Sequence, residues 1–329
     1  MCGVFIARLD EETAMSKSTP LAYAGIVGAT FFWGTNFNAG AYIIKSMAPI
    51  SASIERFAIS TLLLLLTFGL AGKLRLTTLK NNLAAFIGLG LLGFTAFNLA
   101  TFFGLQTTTP INGALILATT PLWTMIFAVL LEGERIDRGR AIGLVLGLLG
   151  VGLVITRGDI QVLLGLKVAT GDAIILAGSI AWAANMVGTR RFVKDSTPLE
   201  TTTFSMLFGV IGLIVLGFIY ESPMASISTA SLSVHGAVFY LAVCGSLIAY
   251  LLWFKGIHAI GAARTSIFFN LAPVFTMLVS SILGVLPNVW QLLGAGGVIL
   301  GVVFASGLVF STTQPSVVKV RTGLADKAA

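Results

Sequence analysis

Of 329 residues, 56% are hydrophobic and only 10% charged, against about 25% charged in an ordinary soluble domain; only a bilayer can cover so much apolar surface. The net charge of +7 is spread over short loops and never forms a basic soluble segment interleaved with aromatics, which argues against a nucleic-acid partner. Two histidines and two distant cysteines, Cys2 and Cys244, make neither a zinc set nor a disulfide framework, so no metal and no other cofactor is expected.

Residues 1–20 are polar and mixed in charge, an N-terminal extension. Ten apolar stretches follow, each near the roughly 20 residues that a membrane helix needs. The first five fall at about 21–44, 51–71, 83–105, 111–131 and 140–157. After a linker at 158–170 come 171–192, 200–220, 234–257, 263–286 and 289–311, with a tail over 312–329. Their apolarity is continuous, not alternating, which predicts helices and not a β-barrel. The first stretch has no small-residue cleavage site behind a short apolar core, so it is expected to be retained and not removed as a signal peptide. With the N-terminus inside, sixteen of the twenty Lys and Arg residues fall in inside segments, three outside, and Arg56 within the second span. That asymmetry puts both termini in the cytoplasm of a multi-pass protein of the plasma (bacterial inner) membrane.

The chain is written twice. Trp33-Gly34-Thr35-Asn36 recurs as Trp182-Ala183-Ala184-Asn185, and Lys45 and Pro49 recur as Lys194 and Pro198, all at a spacing of 149. Gly104, Pro121, Thr124 and Met125 recur at 152 as Gly256, Pro273, Thr276 and Met277; Gly143 and Gly150 recur at 151 as Gly294 and Gly301. Five spans per copy is an odd number, so the second copy must lie upside down. The expected fold is an all-α membrane protein of ten transmembrane helices. It forms two inverted five-helix repeats, 21–157 and 171–311, around a central cavity, as in secondary transporters.

Polar groups inside spans cost energy unless bonded or wet, and so mark function. Trp33 and Asn36 share one face of the first helix, as do Trp182 and Asn185 of the sixth. Asn98 and Thr101 line the third helix, Tyr250 and Trp253 the eighth, and Asn270 the ninth. Trp33, Asn36, Asn98, Thr101, Asn185, Tyr250, Trp253 and Asn270 are therefore the candidate substrate-binding residues of the cavity. The fifth and tenth helices are nearly all apolar plus glycine and form the scaffold; their glycines suit tight packing or a dimer face, hence a monomer or weak dimer. Glu55 and Arg56 lie near the outer end of the second span, where they either snorkel to the headgroups or meet a substrate at the outer mouth. Pro121 and Pro273, about ten residues into their helices, are expected to kink them. Glu132 and Glu134, beside Arg135 and Arg138, read as a solvated ion-pair cluster at the inner end. No carboxylate lies at the centre of any span, which favours neutral or zwitterionic cargo and facilitative movement over proton coupling.

The run Phe32-Trp33-Gly34-Thr35-Asn36-Phe37 begins a set of ordered motifs. Arg56-Phe57 comes next, then Ala114-Leu115-Ile116 with Pro121, Glu132-Gly133-Glu134-Arg135, and Gly143 with Gly150. Over about 21–311 this order resembles the EamA-type branch of the drug/metabolite transporter superfamily. The second half departs from the first, with Leu286-Pro287 standing where the first has Glu134-Arg135. The resemblance implies ten helices, cytoplasmic termini, a central cavity and export of amino acids or related metabolites. Within the superfamily the chain looks most like YddG-type exporters of aromatic and other amino acids. The competing readings are a channel-like pore for small neutral solutes and a proton-coupled drug or metabolite efflux carrier. An enzyme is not expected, and no catalytic residues are assigned. Ser246 and His258, the one candidate pair, stand twelve residues or roughly 18 Å apart along a helix.

Overall fold

Apolar runs become helices in the computed structural model, which describes residues 2–108, 113, 116–165, 169–284 and 286–306, and no strand occurs among the described residues. The order begins with α1 (Cys2–Ile43), α2 (Pro49–Leu64), α3 (Leu76–Asn81), α4 (Leu83–Gly90) and α5 (Phe97–Leu105). It continues with α6 (Thr120–Glu132), α7 (Arg138–Thr156), the short α8 (Ile160–Leu164) in the linker, α9 (Thr170–Phe192), α10 (Pro198–Tyr220) and α11 (Pro223–Thr229). The last five are α12 (Leu232–Tyr240), α13 (Ala249–Ile260), α14 (Ala262–Ile267), α15 (Leu271–Ile282) and α16 (Val289–Ser306).

Among the described residues, eight helices or helix stacks are long and apolar enough to cross a membrane, from Pro49–Gly69 to Val289–Ser306. The expected span 21–44 is the C-terminal part of α1, which also carries the expected N-terminal extension as one continuous helix. The span expected at 111–131 is described as the 13-residue α6. The tail at 312–329 and residues 166–168 of the linker lie outside the described residues.

Local chemistry sets the helix ends. Thr197 Oγ1 accepts from the Glu200 backbone N–H while Glu200 accepts from the Thr197 backbone N–H, and Pro198 occupies the first turn of α10. This reciprocal cap satisfies orphan donors that the apolar run could not. Asp137 caps α7 by accepting from the Arg140 N–H at 2.8 Å.

Packing follows the small residues. Helices α7 and α16 lie against each other through glycine: a Cβ on Gly150 would stand 2.6 Å from the Gly294 carbonyl oxygen, and one on Gly301 would stand 2.7 Å from the Gly143 carbonyl oxygen. These four glycines pack against the facing helix of the same chain. The same contact occurs twice elsewhere. Gly93 lies against the Asn185 side chain and Gly245 against the Asn36 side chain; 93 and 245 differ by 152, and 36 and 185 by 149. Both glycines sit in widened π-helical turns, Leu91–Ala96 between α4 and α5 and Leu241–Ile248 between α12 and α13. Such turns loosen the backbone ladder and leave carbonyls for side chains to bond.

Candidate functional site

The two halves meet at a layer of aromatic rings. Trp33 on α1 lies 4.7 Å, centroid to centroid, from Trp253 and 5.5 Å from Tyr250, both on α13, and 6.2 Å from Trp182 on α9. Trp182 and Tyr250 stand 5.8 Å apart at right angles, the edge-to-face geometry that ring quadrupoles prefer. Phe57, Phe94 and Phe269 complete the layer. Trp33 is 8% exposed and Trp253 fully buried, so the rings close on one another. Trp33 Nε1 donates to the Gly245 carbonyl at 3.0 Å, one of the acceptors loosened by the π turn. Among the expected cavity residues, Trp33, Tyr250 and Trp253 thus come together. Trp182, the repeat counterpart of Trp33, joins them although periodicity alone did not select it.

The polar candidates divide. Asn36 is half-buried, and its amide is best satisfied when it donates to the Phe32 carbonyl at 3.0 Å and accepts from Arg56 Nη2 at 3.1 Å. Asn185 is fully buried and donates to the Leu89 carbonyl at 2.7 Å, joining α9 to α4. Asn98 and Thr101 are half-buried and bond carbonyls of their own helical turns, Phe94 at 2.6 Å and Phe97 at 2.8 Å. Asn270 departs from expectation: it is 1% exposed and packs over Gly147 of α7, where a Cβ would stand 2.7 Å from its Nδ2. A glycine face on a neighbouring helix draws it away from the aromatic layer.

Arg56 bonds groups of the neighbouring span. Its Nε donates to Ser246 Oγ at 2.5 Å and its Nη2 to the Gly245 carbonyl at 2.9 Å, with the guanidinium carbon 5.0 Å from the Phe57 ring centroid. Glu55, one residue earlier and so on a different face, meets His235 Nδ1 at 2.7 Å. The two adjacent charges therefore have separate partners. The open π turn at 241–248 supplied a bonding surface that a regular helix would have lacked, and no residue pattern announced it.

Pro121 lies at a helix start, and Pro273 lies within a span just after a change of helix type. Pro121 lies in the first turn of α6, where a missing N–H costs nothing, and Thr120 Oγ1 bonds the Leu117 carbonyl that proline leaves open. Pro273 is the third residue of α15, just after the 3₁₀ turn Phe268–Asn270 that separates it from α14. Each proline marks a break in its span.

The two ends differ. Toward the loops rich in Lys and Arg, the side chains of Glu200, Thr201, Thr202, Thr203, Thr265 and Ser266 are all fully buried. Arg75 bonds Glu200 at 2.9 Å, and Arg190 reaches Glu134 at 3.1 Å and Glu132 at 3.6 Å. Arg140, at 2.5 Å, is the other partner of Glu134. The expected cluster of Glu132 and Glu134 thus exists, but its ion pairs are made with Arg140 of α7 and Arg190 of α9 in place of Arg135 and Arg138. A recess of about 440 Å³ lined by Arg75, Thr78, Asn82 and Lys194 opens at this end, away from the aromatic layer. Toward the other end, Thr35, Asn36, Arg56, Asn98, Thr101, Thr276 and Ser280 are all half-buried. Among the described residues no three His, Cys, Asp or Glu side chains gather to hold a metal ion.

Comparison with known proteins agrees with this layout. Residues 20–156 and 169–307 each match the EamA-like transporter family. Over 287 residues the chain is 38% identical to the uncharacterized transporter YyaM of Bacillus subtilis (strain 168), covering 87% of this chain and 94% of that protein. It is 24% identical over 272 residues to an uncharacterized transporter of Archaeoglobus fulgidus, covering 82% of this chain and 93% of that one. A solved structure described only as "Crystal structure of protein" superposes with a TM-score of 0.74 at 19% identity, covering 89% of this chain and 97% of the other. That last likeness speaks for the fold alone.

Proposed function

This chain belongs to the EamA-like transporter family and is a membrane transporter, and from that premise we propose that it exports amino acids and related small metabolites by alternating access. In this reading ten helices cross the membrane, the halves are inverted, and the loops rich in Lys and Arg face the cytoplasm of a bacterium. The reciprocal contacts Asn36–Gly245 and Asn185–Gly93, and Gly143–Gly301 beside Gly150–Gly294, support a two-fold relation between the halves, and five spans in each make that relation an inversion. Exchanging the halves turns each contact into its partner. The helix breaks at Pro121 and Pro273, in matched places, support a site where the halves meet.

The observation that carries the reading is the difference between the ends. Half-buried polar side chains stand on one side of the aromatic layer, and on the other stand buried hydroxyls bonded to backbone carbonyls, with Arg–Glu ion pairs at the same end. That is the expected form of a carrier open outward and closed inward. A zwitterion brings its own paired charges, so amides, hydroxyls and ring faces can hold it without a buried carboxylate, with Trp33 or Tyr250 receiving the ammonium or an apolar side chain. Movement down the solute's own gradient then needs no proton-binding group at mid-membrane.

The test is counterflow of a panel of amino acids in proteoliposomes, with and without an imposed pH gradient. Saturable exchange that persists without the gradient is the expected result. Flux that never saturates would replace the carrier by a pore, and flux that vanishes without a proton gradient would replace the facilitative step by a coupled one.

A further inference from the structure

We propose that Arg56 is the carboxylate anchor of the transport site, so that the cargo must carry a free carboxylate; this deepens the export reading by naming the substrate class. A guanidinium in a membrane span normally has an anion beside it or reaches water at the headgroups. The Nε and Nη2 donors of Arg56 go to three neutral acceptors, Ser246 Oγ, the Gly245 carbonyl and the Asn36 amide. Among the described residues no carboxylate pairs with it. The nearest in sequence, Glu55, is taken up by His235, further along the same neighbouring span that supplies Gly245 and Ser246.

Those contacts fix the plane of the fork and leave the two N–H groups of Nη1 for a ligand. Arg56 is half-buried and therefore reachable from the open end. It also shares the Gly245 carbonyl with Trp33 Nε1, which ties the fork to the aromatic layer. A carboxylate on Nη1 would place the rest of a small amino acid over the rings. Charge-assisted bonds of this kind are about twice as strong as neutral ones. Lysine, a point charge on a flexible stem, could neither keep the three framework bonds nor present the same face.

The experiment compares L-phenylalanine and L-leucine with their C-terminal amides and with the corresponding decarboxylated amines. Two readouts are used: counterflow in proteoliposomes, and quenching of intrinsic tryptophan fluorescence in detergent-purified protein, where Trp33 reports on the site. With the parent protein the acids should exchange and bind at least about tenfold better than amides and amines, as a site built around one polar contact rejects ligands lacking it. In Arg56→Gln that preference should fall to within about twofold, and Arg56→Lys, which keeps the charge, should recover part of it. Ser246→Ala, which loses one framework bond but keeps the charge, should weaken acid binding without removing the preference. Amides that match the acids in the parent, or a preference that survives in a folded Arg56→Gln, would overturn the proposal. Absence of counterflow for every probe would overturn the export reading, while the fluorescence comparison still decides the anchor.

Discussion

The duplicated glycine–asparagine contact permits an asymmetric prediction from two chemically identical changes, Gly93→Ala and Gly245→Ala. A methyl at 93 would stand 2.5 Å from Asn185 Nδ2, and a methyl at 245 would stand 2.7 Å from an Asn36 amide atom. Neither distance is tolerable, so an asparagine must move. Asn185 is fully buried and bonded to the Leu89 carbonyl, so it has nowhere to go. Overpacking of that kind costs about 1–3 kcal/mol, and losing the bond adds about 1 kcal/mol. Alanine returns up to about 1 kcal/mol of helix propensity. Gly93→Ala should therefore lose about 2 kcal/mol and show a clearly lower thermal midpoint in detergent, the net of those terms. Asn36 is half-buried and can swing toward the open end. Gly245→Ala should thus stay near parental stability but release Asn36 from Arg56 and lower counterflow about tenfold, the scale of one misplaced positioning contact. Asn185→Ala in the Gly93→Ala background should restore the midpoint, since contacting residues couple. Equal midpoints for the two glycine variants, or no rescue by Asn185→Ala, would refute the reasoning.

The glycine faces of α7 and α16 give a second contrast: Gly150→Leu should fail to give a stable monodisperse protein, whereas Gly152→Leu, which meets nothing within 4 Å, should melt like the parent. At the end rich in basic loops, Arg190→Glu sets like charges against Glu132 and Glu134 and should loosen the seal. A cysteine at Thr265, buried in the parent, should then react with a membrane-impermeant maleimide added from that side; unchanged labelling would remove the ion pairs from any sealing role.

How much of this was legible in the sequence follows from what periodicity encodes. Hydropathy located the membrane-length helices, and the two spacings, 149 and 152, paired Trp33 with Trp182 and Asn36 with Asn185. Spacing cannot say which neighbour a helix face meets. That is why Asn270, expected in the cavity, lies over Gly147, and why Arg56, expected at the outer mouth, turns into the π turn at 241–248. A π turn leaves no signature in composition, yet it creates the carbonyl that Trp33 and Arg56 share. The prolines were legible as interruptions, but that Pro121 sits at a helix start was not, because that depends on the Thr120 hydroxyl that closes the preceding turn.

The same limits explain where the duplication stops being symmetric. Shifting Arg56 by 149 gives Ser205, and shifting Ser246 back by 152 gives Phe94. The second half therefore repeats the packing contact, Asn185 on Gly93, with a buried serine and a ring where the first half has a cation and its hydroxyl partner. Ser205 is fully buried, while Arg56 is half-buried. On the proposed reading, an inverted scaffold would need both copies of the contact to rock equally, while a single cargo with one carboxylate would need only one cation. Installing the charge twice would leave a second guanidinium with no anion, at the cost of about 3 kcal/mol that insertion scales assign to Arg at the centre of a membrane helix. On that reading, repetition of the glycine–asparagine contact and non-repetition of Arg56 follow from one requirement: a mirrored frame around a cargo that is not itself symmetric.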